Sequence, residues 1–212
     1  METIAVVDYS LGNLRSVSKA VEHVAPDARV LVTDDPALIE EADRVVFPGQ
    51  GAARDCMKAI SDHHVEKAVR NAAATRPFLG ICMGLQVLMQ HSQENEGTYL
   101  LGLFEGDVRR FSGTAVGENG LPLKIPHMGW SRVDQVRDHP LWDGIENGAR
   151  FYFVHSYFVV PEDQSLVAAT TDYGETFTCA IAHENLFAVQ FHPEKSADAG
   201  LQLIKNFINW RP

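Results

Sequence analysis

The chain has 212 residues, 45% of them hydrophobic and 22% charged, which suits one domain spanning residues 1–212 with a core large enough to need neither disulfides nor metals. A formal net charge of −10, uncompensated by any run of Lys or Arg, argues against a nucleic-acid partner. Three irregularly spaced cysteines (Cys56, Cys82, Cys179) fit neither a zinc knuckle nor a disulfide framework. No run approaches the roughly 18 apolar residues of a membrane span, and the N-terminus opens straight into a strand pattern without a basic leader; a cytoplasmic protein is expected.

In chain order, TIAVVDY reads as a buried strand and the spacing Leu14, Val17, Ala20, Val21, Val24 as one face of a helix. ARVLVT is the next strand, followed by a short acidic helix over residues 36–41. RVVFPG is a strand ending in a Pro-Gly break, with a helical region after it to about Ala74. PFLGI is a fourth strand, and LQVLMQH, directly after Cys82, reads as helix. Strands alternating with helices predict βαβ units and a parallel sheet. Beyond Gly97 the pattern changes: FEGDVRRF, WSRVDQV, ARFYFVHSYFVV, SLVAATTDY, TFTCAIAH and LFAVQFH are strand-like and predict a mixed or antiparallel extension of the sheet. A Gly- and Pro-rich loop occupies residues 112–126, and ADAGLQLIKNFINW closes the chain as an amphipathic helix.

Three short motifs carry chemistry. In FLGICMG a strand runs into a helix through a cysteine bracketed by Gly80 and Gly84, the pattern of a nucleophile elbow that lifts Cys82 above the C-terminal edge of the sheet. A helix start favours thiolate, and the Met83 N–H would point at whatever the sulfur attacks; the alternative is a core cysteine in a helix-start turn. QFHPE supplies a base, His192, and an orienting carboxylate, Glu194, across a turn stiffened by Pro193. His23, His63, His64 and His91 fall in predicted helices and His139 in a polar, solvated turn, so His192 is the favoured base. PGQG, residues 48–51, offers unobstructed backbone N–H groups to an oxyanion; read instead as a phosphate loop, it lacks the Lys and Ser/Thr of a P-loop. Cys56 and Cys179 read as packing residues.

Taken together and in this order, PGQG, GICMGLQ and QFHPEKS resemble the class I glutamine amidotransferases, over nearly the whole chain. PHMGWS at 126–131, FYFVHSY at 151–157 and the opening VVDYSLGNLRSV resemble one branch, the HisH family of glutaminase subunits of imidazole glycerol phosphate synthase. The resemblance implies a flavodoxin-like α/β three-layer sandwich with a mostly parallel central sheet and an antiparallel extension. It implies a Cys82–His192–Glu194 triad that hydrolyses L-glutamine, with an oxyanion hole from Met83 and the Gly49–Gln50–Gly51 peptide, which in this family is misoriented until the partner is occupied. Gln86 and Glu94 would contact the amino-acid portion of glutamine, and the backbone of His155, Ser156 and Tyr157 would clasp its carboxylate. Ammonia would pass to a HisF-like TIM-barrel cyclase in a heterodimer of histidine biosynthesis, without metal or cofactor. Met128, Gly129 and Trp130, following the long loop, would form the interface, with Tyr157 also facing the barrel. One departure stands out: Ser131 occupies a position that is often Asn in this family.

Two other readings compete. One is the amidotransferase subunit of another pathway, such as anthranilate, aminodeoxychorismate or carbamoyl phosphate synthesis, against which HMGW and FYFVHSYF speak; relatives that make pyridoxal phosphate fit less well in length and motifs. The other is a catalytically silent binding subunit, which the intact Cys, His and Glu set disfavours.

Overall fold

The structure, a computed structural model, describes all residues except 115, 117–119 and 121. Its strands are β1 (Thr3–Val7), β2 (Arg29–Thr33), β3 (Arg44–Gly49), β4 (Phe78–Cys82), β5 (Met89–Ser92), β6 (Thr98–Tyr99) and β7 (Phe104–Arg110). They continue with β8 (His127–Arg132), β9 (Asp134–Gln135), β10 (Arg150–His155), β11 (Tyr157–Pro161), β12 (Val167–Asp172), β13 (Thr176–His183) and β14 (Leu186–Val189). The helices are α1 (Leu14–Val24), α2 (Pro36–Glu41), α3 (Ala53–Asp62), α4 (Glu66–Thr75), the single turn α5 (Met83–Gln86) and α6 (Ala197–Asn209).

Five strands pair in parallel in the order β2-β1-β3-β4-β14. β3, β4 and β14 are buried at every residue, as strands covered on both faces must be. The period-2 alternation of side chains splits their apolar residues between two cores. Ile4, Val6, Leu79 and Ile81 meet Val17 and Val21 of α1 and Leu203, Ile204 and Phe207 of α6 on one face. Ala5, Val7, Val45 and Phe47 meet Ile39 of α2, Ile60 of α3 and Val69 of α4 on the other. This is the expected three-layer α/β sandwich. From β14 the sheet continues as β13-β11-β7-β5-β6, antiparallel at every step except the parallel β7/β5 pair, while β12 and β9 extend from β13.

At the edge where the parallel strands begin, Arg44 is 1% exposed. Its guanidinium donates to Glu2 Oε1 at 2.7 Å and to the Phe207 carbonyl in the last turn of α6 at 2.9 Å, and it lies over the Phe207 ring. A buried charge persists only when it is paired and hydrogen-bonded in this way.

Three local expectations are corrected. LQVLMQH is not a helix: α5 stops at Gln86 and residues 89–92 form β5, so His91 lies on a strand. There Met89, buried, and Gln90, exposed, follow the strand period that packing against β7 selects. The helical region before Ala74 is two helices, broken around His64, whose φ is +56°. ARFYFVHSYFVV is two strands, split at Ser156: β10 leaves the main sheet and, among the described residues, pairs with β8 in a separate antiparallel ribbon, while β11 joins the main sheet. Met128, Gly129 and Trp130 lie on β8, directly after the predicted loop. The predicted 112–126 loop lies partly outside the described residues.

Candidate active site

Parallel strands running into helices leave their C-terminal ends clustered at one edge. β3 ends at Gly49 and β4 at Cys82, which are paired in register, and the segment 190–194 follows β14 beside them. Cys82 adopts φ +54°, ψ −107°, a backbone strain that a β-to-α elbow imposes on its nucleophile position. Gly84 is obligatory for the same turn: a Cβ there would lie well inside 3.0 Å of the Phe47 carbonyl oxygen on β3. The sulfur is thus presented at the floor of a cleft of about 480 Å³ shared with Gln50, Gly51, Met83, Gln86, Glu94, Tyr157 and His192.

His192 is 3% exposed, and its Nδ1 is 2.9 Å from Oε1 of Glu194, whose side chain is fully buried. Nδ1–H therefore donates to the carboxylate and leaves Nε2 on the side of the sulfur. Nε2 makes no hydrogen bond among the described residues. Burial alone would depress the imidazole, but the Cys82 sulfur, and after it Glu194, more than offset that and hold His192 up at about 10. Asn13 Nδ2 also donates to Glu194 Oε1, at 3.4 Å.

Gln86, far from a solvated helix residue, is 5% exposed. Its Nε2 donates to the Tyr157 carbonyl at 3.0 Å and to Gln190 Oε1 at 3.1 Å, which leaves its own oxygen free to accept. Gln190, fully buried, turns its Nε2 to Cys82 Sγ at 3.6 Å. Glu94 lines the cleft while one oxygen accepts from Ala53 N–H at 2.7 Å, fixing the carboxylate at the start of α3. His155 and Ser156 line the same wall. Met83 is the first residue of α5, so its N–H has no partner within the helix. Behind Gln50–Gly51, Cys56 Sγ donates to the Gln50 carbonyl at 3.4 Å; the trans peptide turns the Gly51 N–H the opposite way. Gly51 needs its glycine for φ +103°. Cys56 and Cys179 are buried, and burial pushes both thiols up to about 12, consistent with packing roles.

On the ribbon the side chains alternate: Met128 and Trp130 are exposed, 62% and 48%, while His127 is buried beneath them. Trp130 is not a core plug; it meets Tyr152 edge-on at 6.0 Å. His139, expected in solvent, instead packs on Phe187 and Trp210, and burial lowers it to about 4. The sequence reading singled out neither Asn13, Gln190 nor His127 as site residues. Gln190 and His127 lie within quoted motifs, QFHPE and PHMGWS, but their roles depend on contacts 28 to 108 residues away, which spacing alone does not show.

Comparison with known proteins gives the family. Residues 5–210 match the family described as Glutamine amidotransferase class-I. The chain is 59% identical to the imidazole glycerol phosphate synthase subunit HisH of Thiobacillus denitrificans, covering 99% of this chain and 92% of that one. It is 55% identical to the HisH subunit of Aromatoleum aromaticum over 100% of both chains. Among solved structures, PurLQS from Thermotoga maritima superposes with a TM-score of 0.73 at 18% identity, covering 98% of each chain, and shows the shared fold. The chain belongs to the class-I glutamine amidotransferases and, within them, to the HisH subunits of imidazole glycerol phosphate synthase.

Proposed function

We propose that Cys82, His192 and Glu194 are the catalytic triad of this glutaminase subunit of imidazole glycerol phosphate synthase. The observation that carries the assignment is the strained Cys82 elbow facing a buried, carboxylate-anchored His192 in one cleft. The Cys82 thiolate attacks the carboxamide carbon of glutamine, and the oxyanion is held by the Met83 N–H with a backbone N–H of Gly49–Gln50–Gly51. The imidazolium of His192 protonates the departing nitrogen, releasing ammonia and leaving a glutamyl thioester. His192 then takes a proton from water, whose oxygen attacks the thioester carbon; glutamate leaves and the thiolate returns. Glu194 keeps the ring in the Nδ1–H form throughout. The free Gln86 oxygen and the outer oxygen of Glu94 suit the α-ammonium of the substrate, and backbone N–H groups of the 155–157 segment suit its carboxylate.

The ammonia is consumed by a HisF-like barrel cyclase docked on Met128, Gly129 and Trp130, which makes imidazole glycerol phosphate and the aminoimidazole carboxamide ribotide. The exposed apolar pair on the ribbon supports that surface. In the test, Cys82→Ala with a HisF-like cyclase is expected to lose glutamine-dependent product formation while retaining product formation from added ammonia. Glutamine turnover by Cys82→Ala at the wild-type rate would overturn the triad, and failure of the wild type to support product from glutamine would overturn the partner.

A further inference from the structure

A chain of hydrogen bonds joins the exposed ribbon to the nucleophile. Ser131 Oγ is 2.8 Å from His127 Nε2, His127 Nδ1 is 3.0 Å from His155 Nε2, and His155 Nδ1 is 2.8 Å from the Tyr157 carbonyl. That carbonyl also accepts from Gln86, which holds Gln190, which in turn touches Cys82 Sγ.

The directions of these bonds can be deduced. A carbonyl only accepts, so His155 carries its proton on Nδ1. Its Nε2 is then an acceptor when the ring is neutral, so His127 must donate from Nδ1. That leaves His127 Nε2 as an acceptor, and Ser131 must supply the hydrogen. The Tyr157 carbonyl thus sets the tautomer of both rings, and the Ser131 hydroxyl is the donor that completes the chain at His127 Nε2. Neutral rings are what the surroundings favour: His127 is 1% and His155 6% exposed, and burial lowers them to about 4 and about 3. His127 is also stacked against Tyr173 and Phe153, so it cannot swing away to find another donor.

We propose that Ser131 is a positioning residue for the glutamine pocket: its hydroxyl, by donating to the buried His127 Nε2, holds the two imidazoles in the chain that ends on the Tyr157 carbonyl and, through it, the amide of Gln86. Ser131 touches no part of the cleft itself. It follows Trp130 on the ribbon, so a partner seated on the exposed face lies one residue from the first link. The link to glutamine rests on the glutaminase reading above; the tautomer assignment does not.

The test uses the full chain. Histidine side-chain ¹⁵N NMR at neutral pH is expected to show both His127 and His155 as single Nδ1–H tautomers. In Ser131→Ala, His127 Nε2 loses its hydrogen-bond donor and its ¹⁵N resonance should move downfield, with the tautomer unchanged. With the cyclase present, KM for glutamine should rise about three- to tenfold, the scale of one buried hydrogen bond, with a smaller change in kcat. Ser131→Asn, whose amide N–H can donate, should restore both readouts. A wild-type ring protonated at Nε2, or the His127 Nε2 resonance and KM unmoved in Ser131→Ala, would overturn the proposal. Absence of all glutaminase activity in the wild type, with the tautomers as stated, would instead count against the function assigned to the cleft.

Discussion

Replacing Glu194 by Gln probes the least visible member of the proposed triad. Glu194 does not line the cleft, so substrate does not meet it. Its Oε1 accepts from both His192 Nδ1 and Asn13 Nδ2, while Oε2 is buried without a partner among the described residues. A glutamine can keep its oxygen on those two donors, and its NH₂ must then occupy the Oε2 position, where nothing accepts. The His192 bond falls from charge-assisted, about 1.5–3 kcal/mol, to neutral, about 0.5–1.5 kcal/mol. At about 1.36 kcal/mol per tenfold, a loss of about 1–1.5 kcal/mol lowers kcat about 5- to 15-fold. The reverse orientation would set amide N–H groups against both donors, so the wrong tautomer is disfavoured. The stranded NH₂ costs a further 1–3 kcal/mol or so of stability, a fall in Tm of about 2–12 °C for a chain this size. Steady-state glutamine hydrolysis with the cyclase present, together with calorimetry, reads both effects. A kcat within twofold of wild type, or a change in KM alone, would refute the orienting role of Glu194.

Gly84→Ala should cost about 3 kcal/mol or more, because the new methyl meets β3 backbone that cannot yield; soluble, wild-type-stable protein would show that the elbow is looser than described. The buried histidines set an acid limit. His127 and His155 have folded pKa values lowered by burial to about 4 and about 3, below the unfolded value of about 6.5, so the unfolded chain binds their protons first. Stability should therefore fall as pH drops from about 6.5 towards 4. Urea melts of His127→Gln across that window should have a slope shallower by about 1.4 kcal/mol per pH unit, and an unchanged slope would contradict the neutral assignment.

The residues that make the site are legible in sequence to the extent that their chemistry is local. Cys82 between its glycines, and His192 two residues from Glu194, declare themselves because elbow and dyad are each built within a few residues. Strand and helix order in the first half was likewise readable, since the parallel strands are continuous apolar runs. The reading failed where a segment's partner lies elsewhere. LMQHS shares its apolar residues with a helical pattern, and only packing beside β7 makes it a strand. FYFVHSYFVV is interrupted only by His155 and Ser156, too little to mark a break, and it divides at Ser156 because its halves pair with different strands. Ser131 was noticed as a departure, but the imidazole it meets could be found only from the ribbon's inward face.

Arg44 has a practical consequence for anyone handling this chain. Glu2 Oε1, which it holds at 2.7 Å, also lies 3.6 Å from the guanidinium of Arg211, so the two ends of the chain share one carboxylate. They meet where the parallel strands start, about 16 Å along β3 from Gly49 at about 3.3 Å per residue. Purification tags, fluorophores or surface tethers attached at either end emerge on the far side from the cleft. The same proximity would let a short peptide join the ends, so that new termini could be opened elsewhere while Cys82 and His192 keep their places.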